Sequence, residues 1–104
     1  MTTFQEREAA FENKFAHDEE MKFIANARIN KLLGIWAAEL LGKSKAKSKA
    51  YALDVVMADM KRAGHEDVVE KVAADLGDIA DMDTVRAKRR EFSSQIKSKM
   101  MLKG

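Results

Sequence analysis

Residues 18–41, DEEMKFIANARINKLLGIWAAELL, carry the strongest periodic pattern in the chain. Apolar residues recur there at steps of three and four, which is the spacing of one face of an α-helix. The positions on this face are Ala25, Ile29, Leu32, Leu33, Trp36 and Leu40. Gly34 lies inside the pattern, where a glycine is less favourable than alanine by about 1 kcal/mol. We therefore expect a long amphipathic helix with another backbone packed close to Gly34.

Three later segments repeat the helical template, at residues 44–63, 66–76 and 82–102. Their predicted core faces are Leu53, Val56, Met57 and Met60 in the first, Val69, Val72, Ala73 and Leu76 in the second, and Met82, Val85, Phe92, Ile96 and Met100 in the third. Arg89 interrupts the last stripe. Glycines at 42, 64 and 77 follow the first three helices, where a left-handed residue ends a helix at little cost. Asp81 or Asp83 is the predicted N-cap of the last helix.

These patterns predict an all-α fold, a compact four-helix bundle formed by residues 18–104. The chain has 104 residues, enough for one domain of ordinary size. It contains no proline, in keeping with uninterrupted helices, and no alternating pattern typical of strands. It contains no cysteine either, which excludes a disulfide framework and a thiolate metal site.

Residues 1–17 do not follow the bundle pattern. Thr3 and Glu6 have the spacing of a capping box, which predicts a helix start. Three phenylalanines then share one side of the helix, while their neighbours are mostly polar. They are Phe4, Phe11 and Phe15. Because this stripe is narrow and an isolated helix of about 15 residues is marginal in water, we expect a mobile arm that is disordered or fraying when free and helical in a partner's groove. A helix packed back on the bundle is the alternative.

Charge is distributed unevenly along the chain, although the net charge is only +2. Residues 1–20 hold six acids against two bases, a local charge of −4. Lys43, Lys45, Lys47 and Lys49 form a basic run without an intervening acid, and residues 86–104 hold seven bases against one acid. This asymmetry predicts different partners for the two ends, or simply solvated helix faces.

No catalytic motif is present, so we expect a protein that is not an enzyme. The two histidines, at 17 and 65, cannot form a histidine-rich metal site, and we expect no metal. The basic last helix has a single aromatic residue, Phe92, which its core stripe needs, so nucleic-acid binding is not expected. No apolar run reaches the about 18 residues of a membrane span, and no signal peptide is evident. A cytoplasmic protein is the expectation.

Asn26 and Asn30 are the weakest of the candidate site residues. They lie four residues apart on the first bundle helix, beside Arg28 and Lys31. Polar groups next to a bundle seam can orient a nucleotide or another anion. A solvated polar face explains the same pattern.

Three long strings carry a resemblance to a known family. They are MTTFQEREAAFENKFAHDEE at 1–20, NKLLGIWAAELLG at 30–42, and the stretch 51–76 with AGHED at 63–67. All three resemble the ATPase inhibitor zeta subunits of alphaproteobacteria, and the likeness covers nearly the whole chain.

This resemblance implies a four-helix bundle with a mobile N-terminal inhibitory region. In the family that region enters the catalytic head of the F-type ATP synthase and becomes helical between a catalytic and a non-catalytic subunit, beside the rotor stalk. Rotation in the hydrolytic direction is then blocked. Carried over, the anchors would be Phe4, Arg7, Phe11 and Phe15, with Glu6, Glu8 and Glu12 on the polar side.

The resemblance also implies that no cofactor is required, although some members bind ADP or ATP on the bundle. We therefore keep two hypotheses, a non-enzymatic inhibitor of the synthase and a helical regulatory module that binds ADP or ATP with weak or no inhibition. In the first, the free protein is expected to be a monomer that associates with the membrane-bound synthase through its soluble head, without entering the membrane.

Overall fold

The computed structural model of the chain describes residues 19–61 and 66–103. Four α-helices fill this part of the chain: α1 (Glu19–Leu40), α2 (Lys45–Lys61), α3 (Glu66–Leu76) and α4 (Met82–Lys103). A short 3₁₀ turn, Gly77–Ile79, joins α3 to α4. The all-α bundle predicted from the sequence is confirmed, and each helix begins and ends within two residues of its predicted bounds. The predicted arm at 1–17, His65 and Gly64 lie outside the described residues.

Glycine ends α1, as its position predicts. Gly42 has a φ of +72°, a conformation that other residues adopt only with strain. Its N–H donates to the Glu39 carbonyl at 3.0 Å, and the Lys43 N–H donates to the Ala38 carbonyl at 3.0 Å. These two bonds form a Schellman motif, which satisfies carbonyls that the end of the helix leaves free. Gly77 also has a positive φ, of +58°.

Polar side chains cap the starts of α2 and α4. The Ser44 hydroxyl accepts from the Lys47 N–H at 3.3 Å, so Ser44 is the N-cap of α2. The Asp81 carboxylate accepts from the Thr84 N–H at 2.8 Å, which makes Asp81 the cap of α4, rather than Asp83. Each of these caps follows a short connection, and it fixes the residue at which the next helix begins.

Gly34, in the middle of α1, lies very close to α2. A Cβ atom added there would lie 2.6 Å from the Ala52 Cα and 3.3 Å from a Val55 methyl carbon. Real Cβ atoms do not come that near to a backbone atom, so only glycine allows α1 and α2 to pack at this distance. The close backbone predicted from the position of Gly34 is confirmed, and α2 supplies it.

Apolar side chains from all four helices form two buried clusters. The larger joins Leu33, Ala37, Ala38, Tyr51, Val55, Val68, Val69, Val72, Leu76, Ala80 and Val85. The smaller joins Ala25 and Ile29 of α1 to Ile96 and Met100 of α4. Phe92 packs against both, so α1 and α4 share a continuous apolar contact along the bundle.

The predicted core face of α2 is wrong at Leu53 and Met57. Its buried residues are Tyr51, Ala52 and Val55, whereas Leu53 and Met57 are 58% and 44% exposed. The helix carries two apolar faces, and periodicity favours the one with the larger side chains. Contact with Gly34 needs a small residue, so Ala52 turns inward and the larger pair faces outward. Leu40, predicted to be in the core of α1, is likewise 43% exposed.

Candidate functional site

The predicted inhibitory residues all precede the part of the chain that the structure describes. They are Phe4, Glu6, Arg7, Glu8, Phe11, Glu12 and Phe15. The described residues therefore define the body to which this segment is covalently joined, at the start of α1. Three polar features of that body bear on function: a buried pair, an arginine-lined cleft and an exposed basic run.

Asn30 and Arg89 form the buried pair. The Asn30 side chain is fully buried, and its Oδ1 accepts from the Arg89 Nε at 3.2 Å. Burial lowers the pKa of the Arg89 guanidinium, while the Asp59 carboxylate acts in the opposite direction. In this conformation Asn30 contacts α4 instead of presenting its amide to a ligand. Its partner in the candidate nucleotide site, Asn26, is half-buried on the same helix.

The arginine-lined cleft lies between the first turn of α3 and the middle of α4. It has a volume of about 170 Å³ and is lined by Glu66, Val69, Arg86, Arg89, Arg90 and Ser93. Glu66 and Asp83 both pair with Arg86, the latter at 2.7 Å, and the contact with Arg86 lowers the pKa of Glu66. Arg90 is exposed at the rim and has no ion pair with the described residues. One guanidinium is thus available to an anion.

Tyr51 is a buried residue of α2 that follows the basic run in the sequence. Its hydroxyl donates to the Asp75 carboxylate at 2.8 Å, and Lys71 donates to the same carboxylate oxygen at 3.0 Å. Burial, together with this hydrogen bond, raises the pKa of the Tyr51 phenol. The ammonium of Lys43 lies 5.7 Å from the Tyr51 ring centre, close enough for a cation–π contact. Lys43 is therefore partly engaged within its own chain.

The rest of the basic run is turned to solvent. Lys45, Lys47 and Lys49 are exposed on the first turns of α2, and none of them forms an ion pair with a described residue. The helix has no acid in its first turn. Positive charge at a helix N-terminus opposes the helix dipole, by about 0.3–1 kcal/mol per charge. This arrangement does not stabilise α2.

The described residues, 19–61 and 66–103, contain neither a membrane-spanning helix nor a metal site. No helix among them is long and apolar enough to cross a membrane. They contain no group of three or more His, Cys, Asp or Glu side chains that could hold a metal ion.

Sequence reasoning missed the buried position of Arg89 and the cleft beside it. The signal was the interruption of the α4 stripe, since a charged residue on a core face requires a buried partner. Asn30 directly follows Ile29 of the α1 stripe. Pairing the two would have required knowledge of how α1 and α4 align, which the sequence does not contain.

The described residues form a small all-α bundle with exposed charged surfaces. Comparison with known sequences identifies the family. A family model described as ATPase inhibitor subunit zeta matches residues 1–99, and the chain belongs to this family.

Comparison with solved structures agrees on the fold. A protein whose structure was determined by solution NMR is 46% identical, with a TM-score of 0.70. The alignment covers 81% of this chain and 99% of that one. No curated protein matched the sequence.

Proposed function

We propose that this chain inhibits ATP hydrolysis by the F-type ATP synthase, and that residues 1–17 enter the catalytic head as a helix beside the rotor. The observation that carries the proposal is the family match over residues 1–99, which includes the N-terminal segment as well as the bundle. The helix lies between a catalytic and a non-catalytic subunit, and the bundle stays outside and limits insertion. The chain itself performs no catalysis in this mechanism.

The energetics of the segment explain why it needs a crevice. Burial of three phenylalanines supplies about 5–9 kcal/mol, taking about 1.5–3 kcal/mol for each. Ordering the backbone from Thr3 to Phe15 opposes this by about 1–2 kcal/mol for each residue, which is a larger total. A crevice that surrounds the helix adds contacts to Arg7 beside the stripe and to the glutamates on the polar side. One flat surface of the bundle cannot add contacts on two sides.

Deletion of residues 1–17 tests the segment directly. We expect the truncated chain to lose inhibition of ATP hydrolysis by the cognate synthase, because the wedge is gone. It should retain the helical circular-dichroism spectrum and cooperative melting of the full chain, because the described core residues all lie beyond it. Equal inhibition by the truncated and full chains would overturn the proposal.

Substitution separates the phenylalanine stripe from the rest of the segment. Replacing Phe4, Phe11 and Phe15 together by alanine should weaken inhibition at least about 100-fold, as expected when several buried aromatic anchors are lost. Phe23→Ala is the matched control, since Phe23 is 54% exposed on α1 and outside the segment. If Phe23→Ala lost inhibition and the triple variant did not, the aromatic contact with the synthase would lie on the bundle and not on residues 1–17.

A second candidate function, binding of ADP or ATP, is favoured by the arginine-lined cleft. Its volume of about 170 Å³ suits a phosphate group better than a whole nucleotide, for which pockets of about 300–1,000 Å³ are usual. The phosphates would contact Arg90, Ser93 and the first turn of α3, whose N–H groups and dipole favour anions. The base would then lie outside the cleft.

Titration with ADP followed by amide chemical shifts tests this candidate. We expect saturable shifts confined to residues 66–69 and 86–93, and their loss in Arg90→Gln. The control is Arg28→Gln, which removes an exposed arginine from α1. Shifts that are absent at millimolar ADP, or unchanged in Arg90→Gln, would remove this site.

A further inference from the structure

The outer face of α2 carries an apolar stripe without a partner among the described residues. Ala46, Ala50, Leu53 and Met57 are spaced by four, three and four residues, so they lie on one side of the helix. All four are exposed, Leu53 by 58% and Met57 by 44%. The stripe is distinct from the inner face of α2, which is formed by other residues.

Lysines border this stripe on both sides. The helical period places Lys45 and Lys49 along one edge and Lys47 along the other. From residue 43 to residue 53 the sequence contains no acid, and Asp54 is the first to follow. These lysines lie at the end of the helix where the dipole disfavours them, so they do not serve the stability of the free helix. Carboxylates on a partner would complement them.

The four side chains differ in size in a way that suits packing against another helix. Ala46 and Ala50 have short side chains in the first two turns, and Leu53 and Met57 have longer ones in the next two. A second helix can insert a large side chain over the alanines and receive the leucine and methionine between its own residues. A lipid surface, in contrast, is bound through bulky apolar residues along the whole face, often aromatic ones.

The size of the stripe argues against a stable dimer. A standard protein interface uses about 20–30 residues on each side, and this face offers four apolar residues and three lysines. Such a contact is weak alone but effective when another segment already tethers the two molecules, because the effective concentration is then high. The N-terminal segment of the proposed function supplies that tether.

We propose that the stripe Ala46–Ala50–Leu53–Met57, with Lys45, Lys47 and Lys49, docks on a helix of the ATP synthase head that presents large apolar side chains bordered by Asp or Glu. The inference rests on the proposed function. It assigns to α2 a second contact, which slows dissociation after the N-terminal segment has entered.

The test measures association and dissociation of the full chain on immobilised synthase head. In the stripe variant, Leu53→Gln with Met57→Gln, we expect dissociation to become about 10-fold faster, as is typical when two central contacts are lost. The control, Phe23→Gln with Ile79→Gln, removes two apolar side chains of similar exposure elsewhere, 54% and 52%, and should stay within twofold of wild type.

A charge variant tests the lysine border and does not depend on apolar substitutions. Lys45→Glu with Lys49→Glu should slow association and reduce its dependence on salt concentration. Glutamate at these positions suits the helix dipole, so a loss of binding cannot be attributed to unfolding of α2. The control is Lys97→Glu with Lys99→Glu, two exposed lysines of α4.

The outcomes separate this inference from the proposed function. A wild-type chain that neither binds nor inhibits the synthase overturns both. A wild-type chain that inhibits, with stripe and charge variants that bind and dissociate as it does, overturns the docking surface alone. Evidence for another occupant of the stripe also overturns the docking surface. A dimer seen in sedimentation, or binding to anionic vesicles, would be such evidence if the stripe variant abolished it. Amide shifts confined to the stripe when residues 1–17 are deleted would be such evidence as well.

Discussion

Asp81 shows how one side chain sets the start of a helix. Its carboxylate accepts from the Thr84 N–H at 2.8 Å, and the Val85 N–H donates to the Asp81 carbonyl at 3.1 Å. Hydrogen bonding to Thr84 lowers the pKa of Asp81. Ionised Asp81 is therefore the form that the folded bundle stabilises.

Asp81→Ala should reduce the free energy of unfolding by about 1 kcal/mol at neutral pH, the usual loss for an N-cap. Asp81→Asn is the control and should lose only a few tenths, because its amide oxygen still accepts from Thr84. A group with a lowered pKa stabilises the fold above its unfolded pKa and ceases to do so as the pH falls. Urea unfolding from pH 7 to pH 2 should show the alanine deficit shrinking below about pH 4. If the loss of stability in Asp81→Ala did not change with pH, the ionised state of Asp81 in the folded protein would be contradicted.

At the scale of elements, the contact between α1 and α2 is decided by one residue without a side chain. Gly34 lets the Ala52 backbone approach so closely that α2 must turn Ala52 inward. The sequence predicted the four helices and the close contact at Gly34, because periodicity and glycine position are local signals. It did not predict which face of α2 is buried, because that depends on the shape of the partner helix.

Gly34→Ala should destabilise the bundle, although alanine favours a helix by about 1 kcal/mol over glycine. The added Cβ would lie 2.6 Å from the Ala52 Cα, and overpacking of this kind opposes folding by about 1–3 kcal/mol. The net loss, measured by urea unfolding, should be up to about 2 kcal/mol. Adding Ala52→Gly should not restore stability, because the nearest atom belongs to the backbone. Restoration would mean that only the side chain of Ala52 is in the way.

At the scale of the whole molecule, the Asn30–Arg89 bond ties together helices whose bonded residues are 59 positions apart. On α1, Asn30 lies between Ile29 of the smaller cluster and Leu33 of the larger; on α4, Arg89 lies between Val85 and Ile96. The Asn30 Nδ2 atom has no acceptor among the described residues. A polar pair at this position specifies how the two helices align, at some expense of stability.

The effects of losing the two partners should therefore not be additive. Asn30→Leu alone removes the acceptor of the Arg89 Nε–H, and we expect it to reduce the free energy of unfolding by about 1–3 kcal/mol. The double variant, Asn30→Leu with Arg89→Met, should be less destabilised than the sum of its single variants, by about 0.5–3 kcal/mol. Arg90→Met, at an exposed neighbour, should change stability by no more than about 0.5 kcal/mol. Strict additivity in urea unfolding would contradict the coupling.

Some candidate site residues depend on local sequence signals, and others depend on contacts between helices that are distant in sequence. The N-terminal site residues stay a prediction, because they precede the residues that the structure describes. The stripe and charge that point to this segment are local, and the roles of its residues are implied by the family resemblance. The arginine-lined cleft could not be predicted from the sequence, because Glu66 and Arg86 come from helices whose contact is set by the whole core. The sequence also did not predict the outward position of Leu53, because that position follows from the contact of Ala52 with Gly34.

The short turn from Leu41 to Ser44 has a consequence for the speed of folding. It joins α1 to its neighbour through contacts that are close in sequence, and helical proteins rich in such contacts fold in microseconds to milliseconds. The sequence contains no proline and no cysteine, so neither prolyl isomerisation nor disulfide exchange delays the process. Once its last helix leaves the ribosome, the bundle can assemble in less time than the about 50–200 ms that one further residue would take to be added.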